Sequence, residues 1–433
     1  MGAKRCSGQR NKEKASTVEQ LAYRFQGFPT RTQEHILNQF IGSVRFLWNR
    51  MLGDWIGSYK EKGKSDPIRT PASYKQEPGL EWLKDMDSLA LCNVQQNFER
   101  AVSEFFSGEK GFLRFKKKHA CKDSYTTNLS NKENPNLFLE GCMLKLPKVK
   151  EPVVLRLHRE VAPGGILKNC TVTREPDGRW YFSLVYEYTR KDVPKKAEGQ
   201  APDKIRSIGL DMSLPELFVD SNGNVPNYPK PYRRLQKKIA REQRRLSRME
   251  KDSSNYNKQL RKIARLHAKA KHQREDFLHK LSYNLVHDYD IICIEDLDMA
   301  AMKKALSFGK SVSDNGWGGF VRMLQYKAER YGCIIIKVDK WFASSKTCSS
   351  CGYKHSELKL SDRTYICPKC GHVMGRDHQA AINIRNEGTR VYTETHPPCG
   401  VASGNGRTIT AKRTGGSPGI ACRTTGCMVA VMP

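Results

Sequence analysis

The sequence predicts a multidomain protein of α/β plus α+β class. Three observations lead there. In the C-terminal half, strand-type apolar runs alternate with helical stretches, and two of those runs end in an acid. Between residues 142 and 188, short alternating strands follow one another closely, as in a small β-barrel. Near residue 350, two Cys-x-x-Cys pairs interrupt the α/β part. Strands followed by helices build an α/β layer, whereas short antiparallel strands build a separate sheet unit.

The bulk numbers narrow the class further. The 433 residues are enough for two or three domains. A net charge of +30 is more than a fold requires and marks a polyanion partner, nucleic acid first. No stretch is long and apolar enough to span a membrane, so no membrane partner is expected. The N-terminus shows no secretory pattern. Fourteen Cys in such a chain point to a reducing, cytoplasmic compartment, with thiols free or on metal. Cys422 and Cys427 lack a partner pair and suggest no metal.

Taken in order, residues 1–16 are polar and basic, and disorder is expected. Val18 to Phe28 alternates as a strand, and Pro29 ends it. Thr32 is the expected cap of a helix carrying Phe40, Ile41, Val44, Phe46, Leu47 and Met51 at helical spacing. Gly63 to Gly79 is a Pro- and Lys-rich loop, and a second helix should run from about Trp82 to Phe106. Its polar face carries Gln95, Gln96 and Arg100. Phe112-Leu-Arg-Phe115 then leads into Lys116, Lys117 and Lys118, a mix that suits phosphate contact and base stacking. A solvated charged loop would look the same. Thr126 and Thr127 lie in the loop beyond. Strands follow at 143–146, 153–157, 170–173 and 180–186, with Asp177-Gly178 as a hairpin turn. Lys191 to Lys204 reads as a linker.

Ile205 to Met212 is a buried-type strand, and Leu217 to Val219 follows it. Pro229 to Tyr283 is a helical pair broken near Ser253, with 18 Lys or Arg against five acids. That excess, which includes Arg233, Arg234, Lys237, Arg241, Arg244 and Arg245, is too one-sided for neutralising pairs within the helix and favours phosphate binding. A strand at 291–297, a helix at 316–331 and a strand at 333–338 come next. The last element is a helix opening on Asp377, and Gly388 to Pro433 reads as a disordered tail.

The Cys pairs are Cys348/Cys351 and Cys367/Cys370, with fifteen residues between them. That is zinc-ribbon spacing, and a closed four-thiolate shell is a structural Zn²⁺ site. Such a site does no chemistry, so the chemistry is expected beside it. Asp211 and Glu295 end strand-type runs, and Asp377 opens a helix. Taken singly, each acid would be a cap or a solvated strand end. Three carboxylates converging at the carboxyl ends of strands repel one another unless cations neutralise them, and oxygen ligands select Mg²⁺ or Mn²⁺. Two such ions about 3.5–4 Å apart suit phosphodiester hydrolysis.

Ile208-Gly-Leu-Asp211, Ile294-Glu-Asp-Leu297, Ser344-Ser-Lys-Thr-Cys348 and Arg376-Asp377 with Ala380-Ala-Ile-Asn-Ile384 resemble the split RuvC nuclease of TnpB proteins. The miniature type V-F CRISPR effectors share this layout. Tyr23 to Leu52 and Phe112 to Asn128 extend the resemblance upstream. It implies an RNase H-like RuvC domain with an inserted zinc ribbon, and an N-terminal wedge β-barrel with an inserted helical recognition domain. The implied boundaries are 1–28 (start and first wedge strand), 29–110 (recognition), 111–200 (wedge), 201–340 (nuclease), 341–375 (ribbon), 376–388 (last nuclease segment) and 389–433 (tail). The implied activity is Mg²⁺-dependent, RNA-guided cutting of double-stranded DNA beside a short flanking motif, with Asp211, Glu295 and Asp377 on the metals. Arg363 looks placed to steer a phosphate toward them. The implied assembly is a monomer or homodimer on one guide RNA, acting on nucleoid DNA in a prokaryotic cytoplasm.

Two features depart from the family pattern. Gln379 stands where Asn is usual, two residues after the last acid, and no paired-Cys finger precedes residue 348. The second departure favours a TnpB-like architecture. A non-catalytic nucleic-acid-binding regulator would have no use for three clustered acids, and an RNA-independent transposase would need a joining subdomain that is not visible. Gln95, Gln96, Arg100, Thr126 and Thr127 are the candidate readers of the flanking motif. Gln pairs with adenine and the Thr methyl touches thymine, so an A/T-containing motif is expected.

Overall fold

The computed structural model describes residues 18–63, 66–118, 122–131, 133–189, 193–298, 316–359 and 362–396. The expected disorder of residues 1–16 and of the far tail lies outside them.

The first unit is a sheet covered by helices. Strand β1 (Val18–Phe28) leads through Pro29 into helix α1 (Arg31–Lys62). The cap is Thr30, not Thr32. Its Oγ1 accepts from Gln33 N, and Gln33 reaches back to the Thr30 N–H, which closes a capping box. A short helix α2 (Pro71–Tyr74) lies in the expected loop. Helix α3 runs over Ser88–Phe106 and starts later than expected, because Asp87 caps it by accepting from Leu89 and Ala90 N–H. Residues Glu81–Lys84 form a separate 3₁₀ turn.

Strands β2 (Asp123–Asn128), β3 (Phe138–Glu140), β4 (Met143–Lys145), β5 (Val153–Arg156), β6 (Ile166–Arg174) and β7 (Trp180–Thr189) join β1 in one antiparallel sheet. Its order is β2-β6-β7-β1-β5-β4-β3, with β2 and β3 at the two ends. The Asp177-Gly178 hairpin is present, with Arg174 paired to Trp180 and Gly178 at φ 87°. One hydrophobic cluster, including Phe25, Leu47, Phe98, Leu144 and Phe182, joins the helices to this sheet.

The second unit is an α/β layer. Strands β8 (Ser207–Ser213), β9 (Leu217–Asp220), β10 (Ile291–Glu295) and β11 (Ile334–Val338) form a sheet of order β11-β10-β8-β9. The strands β8, β10 and β11 are parallel, and β9 folds back as a hairpin on β8. Strand alternation sorts the side chains onto two faces. Ile292 and Ile294 pack with Leu285, Phe320 and Leu324 from helices α5 (Ser254–Asp288) and α6 (Trp317–Tyr331). Ile291 and Cys293 pack on the other face, with Ile384 and Tyr392 from helix α7 (Arg376–Thr395). Helix α7 therefore extends past Gly388, where the tail was expected to begin. Gly388 stays inside the helix because it sits against Cys293, whose Sγ would lie 2.3 Å from an added Cβ.

Helix α4 (Pro231–Leu246) pairs with α5, and Ser253 caps α5. Buried Glu242 on α4 bonds Gln259 Nε2 and Lys262 Nζ on α5, at 2.9 Å each. A two-stranded element, β12 (Thr364–Ile366) with β13 (Val373–Gly375), precedes α7. Among the described residues, no helix is long and apolar enough to cross a membrane.

Candidate active site and cysteine cluster

The parallel register of β8 and β10 pairs Leu210 with Ile294, so Asp211 and Glu295 follow side by side at the carboxyl ends of adjacent strands. Helix α7 lies across these strands in very close contact. A Cβ on Gly209 would fall 2.1 Å from the Ala381 carbonyl oxygen, so only glycine permits this approach. Asp377 sits in the first turn of α7, where the helix dipole favours a carboxylate. Burial pushes the Asp211 carboxyl well above its usual range, and Glu295 and Asp377 push it further. Arg376 works in the opposite direction. Asp211 therefore feels the charge of two acids from distant chain segments.

Two contacts hold the neighbouring acids. Ser344 Oγ donates to Glu295 Oε1 at 2.6 Å. An Arg376 guanidinium nitrogen lies 3.5 Å from Asp377 Oδ1. The sequence suggested Arg363 for the guanidinium beside the acids. Arg363 is exposed, and its carbonyl accepts from Arg376 N at 2.9 Å, while the Arg376 side chain makes the contact with Asp377.

The four cysteine thiols converge. Cys348 and Cys370 Sγ lie 3.7 Å apart, and Cys351 and Cys367 Sγ 3.5 Å apart. Metal–sulfur bonds of about 2.3 Å at tetrahedral angles give sulfur separations of about 3.8 Å, so this set fits one structural zinc ion. Each pair sits in the same turn. Gly352 N donates to Cys348 O and Gly371 N to Cys367 O. Both glycines are left-handed, at φ 72° and 71°. Among the described residues, these Cys are the one group of three or more His, Cys, Asp or Glu ligands mutually within 4.8 Å. Asp211, Glu295 and Asp377 do not all lie mutually within that distance.

The ribbon and the acids are joined by residues whose roles spacing could not reveal. Gln379 is fully buried. Its Nε2 donates to Thr347 O at 2.7 Å, and its Oε1 accepts from Ser349 Oγ at 2.9 Å. One turn on, Asn383 Nδ2 donates to Ser344 O and Thr347 O, at 2.7 and 2.6 Å. The Gln that departs from the family pattern thus holds the first Cys turn against α7.

The candidate nucleic-acid contacts fare unevenly. Arg233, Arg234, Lys237, Arg241, Arg244 and Arg245 all lie exposed on α4. Lys117 and Lys118 are exposed, whereas the Lys116 ammonium lies 3.9 Å over the Trp48 ring. Gln96 and Arg100 are exposed on α3, and Gln95 Nε2 donates to Glu99 at 2.8 Å. Thr126 and Thr127 are in strand β2, not a loop. Thr126 Oγ1 meets Thr171 Oγ1 at 2.8 Å across to β6, and Thr127 is fully buried. Period-2 alternation turns Thr127 inward, so it cannot reach a base edge.

Three family models match the chain. They are described as "Cas12f1-like, TNB domain" over residues 317–384, "Probable transposase" over 183–306 and "Helix-turn-helix domain" over 19–64. The last region is β1 and the single unbroken helix α1 here. A curated protein of Streptomyces pristinaespiralis, "Putative RNA-guided DNA endonuclease", is 32% identical over 84% of this chain and 88% of its own length. "Putative RNA-guided DNA endonuclease InsQ" of Escherichia coli is 31% identical over 91% of this chain and 97% of its own. A chain in the solved "Cryo-EM structure of the Cas12f1-sgRNA-target DNA complex" shares the fold at TM-score 0.52 and 13% identity. That match covers 86% of this chain and 99% of the other.

Proposed function

The chain belongs to the TnpB-like family of RNA-guided DNA endonucleases, and from that premise we propose that it cuts double-stranded DNA under the direction of a guide RNA. The α/β layer is a RuvC-like, RNase H-like nuclease domain, the β1–β7 sheet a wedge barrel, and α1–α3 a recognition unit. One observation carries the catalytic reading: the register of β8 and β10 sets Asp211 beside Glu295 while the close approach of Gly209 to Ala381 lays the helix of Asp377 on the same strands, where burial and the other two acids disfavour the Asp211 carboxylate. A cluster of that kind calls for cations. Asp211, Glu295 and Asp377 would hold Mg²⁺ or Mn²⁺, and two bound ions would activate a water and stabilise the leaving 3′ oxygen. Ser344 fixes the Glu295 carboxylate by its hydrogen bond. Arg376 orients Asp377.

The exposed basic face of α4 and the Arg114–Lys118 loop would hold the guide by its phosphates. Neutralising many phosphates releases many counterions, so affinity should fall steeply with salt. A guide–target hybrid would be held by its A-form backbone without a reading of its sequence. The test is to co-express the chain with its flanking genomic DNA and sequence the RNA that co-purifies. Matched duplex should be cut only with that RNA present. Site-specific cutting of duplex by rigorously RNA-free protein would overturn the reading.

A further inference from the structure

We propose that Trp341 is a stacking platform that positions one base of the single DNA strand entering the carboxylate site. The inference rests on the proposed nuclease reading of that site and adds a substrate-positioning residue to it. The loop 339–343 leaves the sheet beside Glu295 and returns to it. At its start, Val338 is the registered partner of Glu295 across β10 and β11, and its carbonyl accepts from Asp296 N at 3.0 Å. At its end, Ser344 Oγ bonds Glu295 Oε1 at 2.6 Å. Trp341 is the middle residue, three positions from either anchor. Three residues span at most about 11 Å, so its Cα cannot lie further than that from Val338 or Ser344.

The loop is pinned, and only its tip is open. Asp339 Oδ1 accepts from Trp341 N at 2.7 Å, and Phe342 N donates to Asp339 O at 3.0 Å. Phe342 packs against the core cluster that contains Ile291 and Val338. Trp341 is 82% exposed, whereas the other five tryptophans are 39% exposed or less. A pinned turn presenting a largely exposed indole is costly in water and gains from covering the ring. The surroundings select what covers it. Lys340 Nζ lies over one face of the ring, 5.2 Å from its centroid, and this cation at an aromatic platform suits a base with its phosphate. Stacking tolerates any base, as a guided nuclease requires at its cutting position.

Two measurements test this on the full chain. With a single-stranded oligonucleotide, wild-type tryptophan emission should be quenched at saturation. Trp341→Phe should lose most of the quenching yet keep its binding within about two-fold, since a phenyl ring still stacks. With the guide-loaded protein, Trp341→Ala should slow cutting of matched duplex about ten-fold, as expected for one lost base stack. Target binding should stay unchanged, and Trp341→Phe should restore most of the rate. An abasic nucleotide scanned along the cut strand should slow the wild type about ten-fold at one position. At that position it should not slow Trp341→Ala further. Unchanged quenching in Trp341→Phe overturns the proposal, as does multiplication of the alanine and abasic effects at every position. If the guide-loaded wild type does not cut at all, the nuclease reading falls, and the quenching measurement still decides whether Trp341 stacks.

Discussion

Gln379 and Ser349 are hydrogen-bonded at 2.9 Å, which ties the first Cys turn to the helix that carries Asp377. Both Gln379 and its neighbour Asn383 are buried, and each donates to the Thr347 carbonyl. The cysteine cluster is thereby coupled to the helix that carries Asp377. Removing a buried hydrogen-bonding partner costs about 1–3 kcal/mol, because the groups left behind stay desolvated.

Zinc removal should therefore act at the acids. A chelator, or Cys348→Ser, should unfold the ribbon locally, since metal binding and folding are coupled there. DNA cutting should fall at least ten-fold, while RNA binding on α4 survives. Gln379→Ala should keep one zinc per chain and still lose activity several-fold. Elemental analysis and a cutting assay on the same preparations check both statements. Purified protein without zinc would remove the first.

The acids should be individually required. Asp211→Ala, Glu295→Ala and Asp377→Ala should each reduce cutting by a factor of 10³ or more, estimated roughly from the loss of a ligand shared by two ions. Gly209→Ala should do similar harm from outside the acid set. Its added Cβ would meet the Ala381 carbonyl oxygen at 2.1 Å and push Asp377 away from Asp211. Target binding by guide-loaded protein should persist in all four, since phosphate contacts elsewhere supply most of the affinity. Near wild-type cutting by Glu295→Ala would refute the assignment.

The sequence exposed some of this arrangement and hid the rest for identifiable reasons. Ile291-Ile-Cys-Ile-Glu295 is a continuous apolar run because both faces of β10 are covered, and such runs are easy to read. The Cys turns were legible because metal geometry fixes their spacing. Ser344, Arg376, Gln379 and Asn383 were not, because their partners lie on other elements. The β2 strand was hidden by its composition, Asp-Ser-Tyr-Thr-Thr-Asn, which becomes a strand only by pairing with β6. Gly388 looks like a helix stop in the sequence, whereas it is the residue that lets α7 meet Cys293.

Burial removes Thr127 from the candidate readers of the flanking motif. Gln96 and Arg100 on α3 remain candidates to reach a base edge, with Gln95 available if it gives up Glu99. Gln95→Ala with Gln96→Ala should relax or weaken motif choice, each lost bidentate pair being worth about 1–3 kcal/mol of discrimination. Thr127→Val should leave motif choice alone. A motif-depletion assay reads both, and an unchanged profile in the double variant would eliminate the Gln pair.

The carboxylate cluster also sets a pH dependence. In the metal-free protein the Asp211 carboxyl is raised above its unfolded value by burial, then by Glu295 and Asp377. Above about pH 4 the unfolded chain has released this proton while the folded chain keeps it. Stability therefore falls with rising pH across that window, and the loss is complete once pH passes the raised folded value. Asp211→Asn carries no such charge. In EDTA its melting midpoint should exceed that of the wild type by a few degrees at neutral pH, and the gap should vanish toward pH 4. Magnesium should close the neutral-pH gap by stabilising the wild type, since only that protein offers the full ligand set. Differential scanning fluorimetry of both proteins, with and without Mg²⁺, measures all four conditions. A gap that is constant with pH, or indifferent to Mg²⁺, would mean that Asp211 is not strained by its two acidic neighbours.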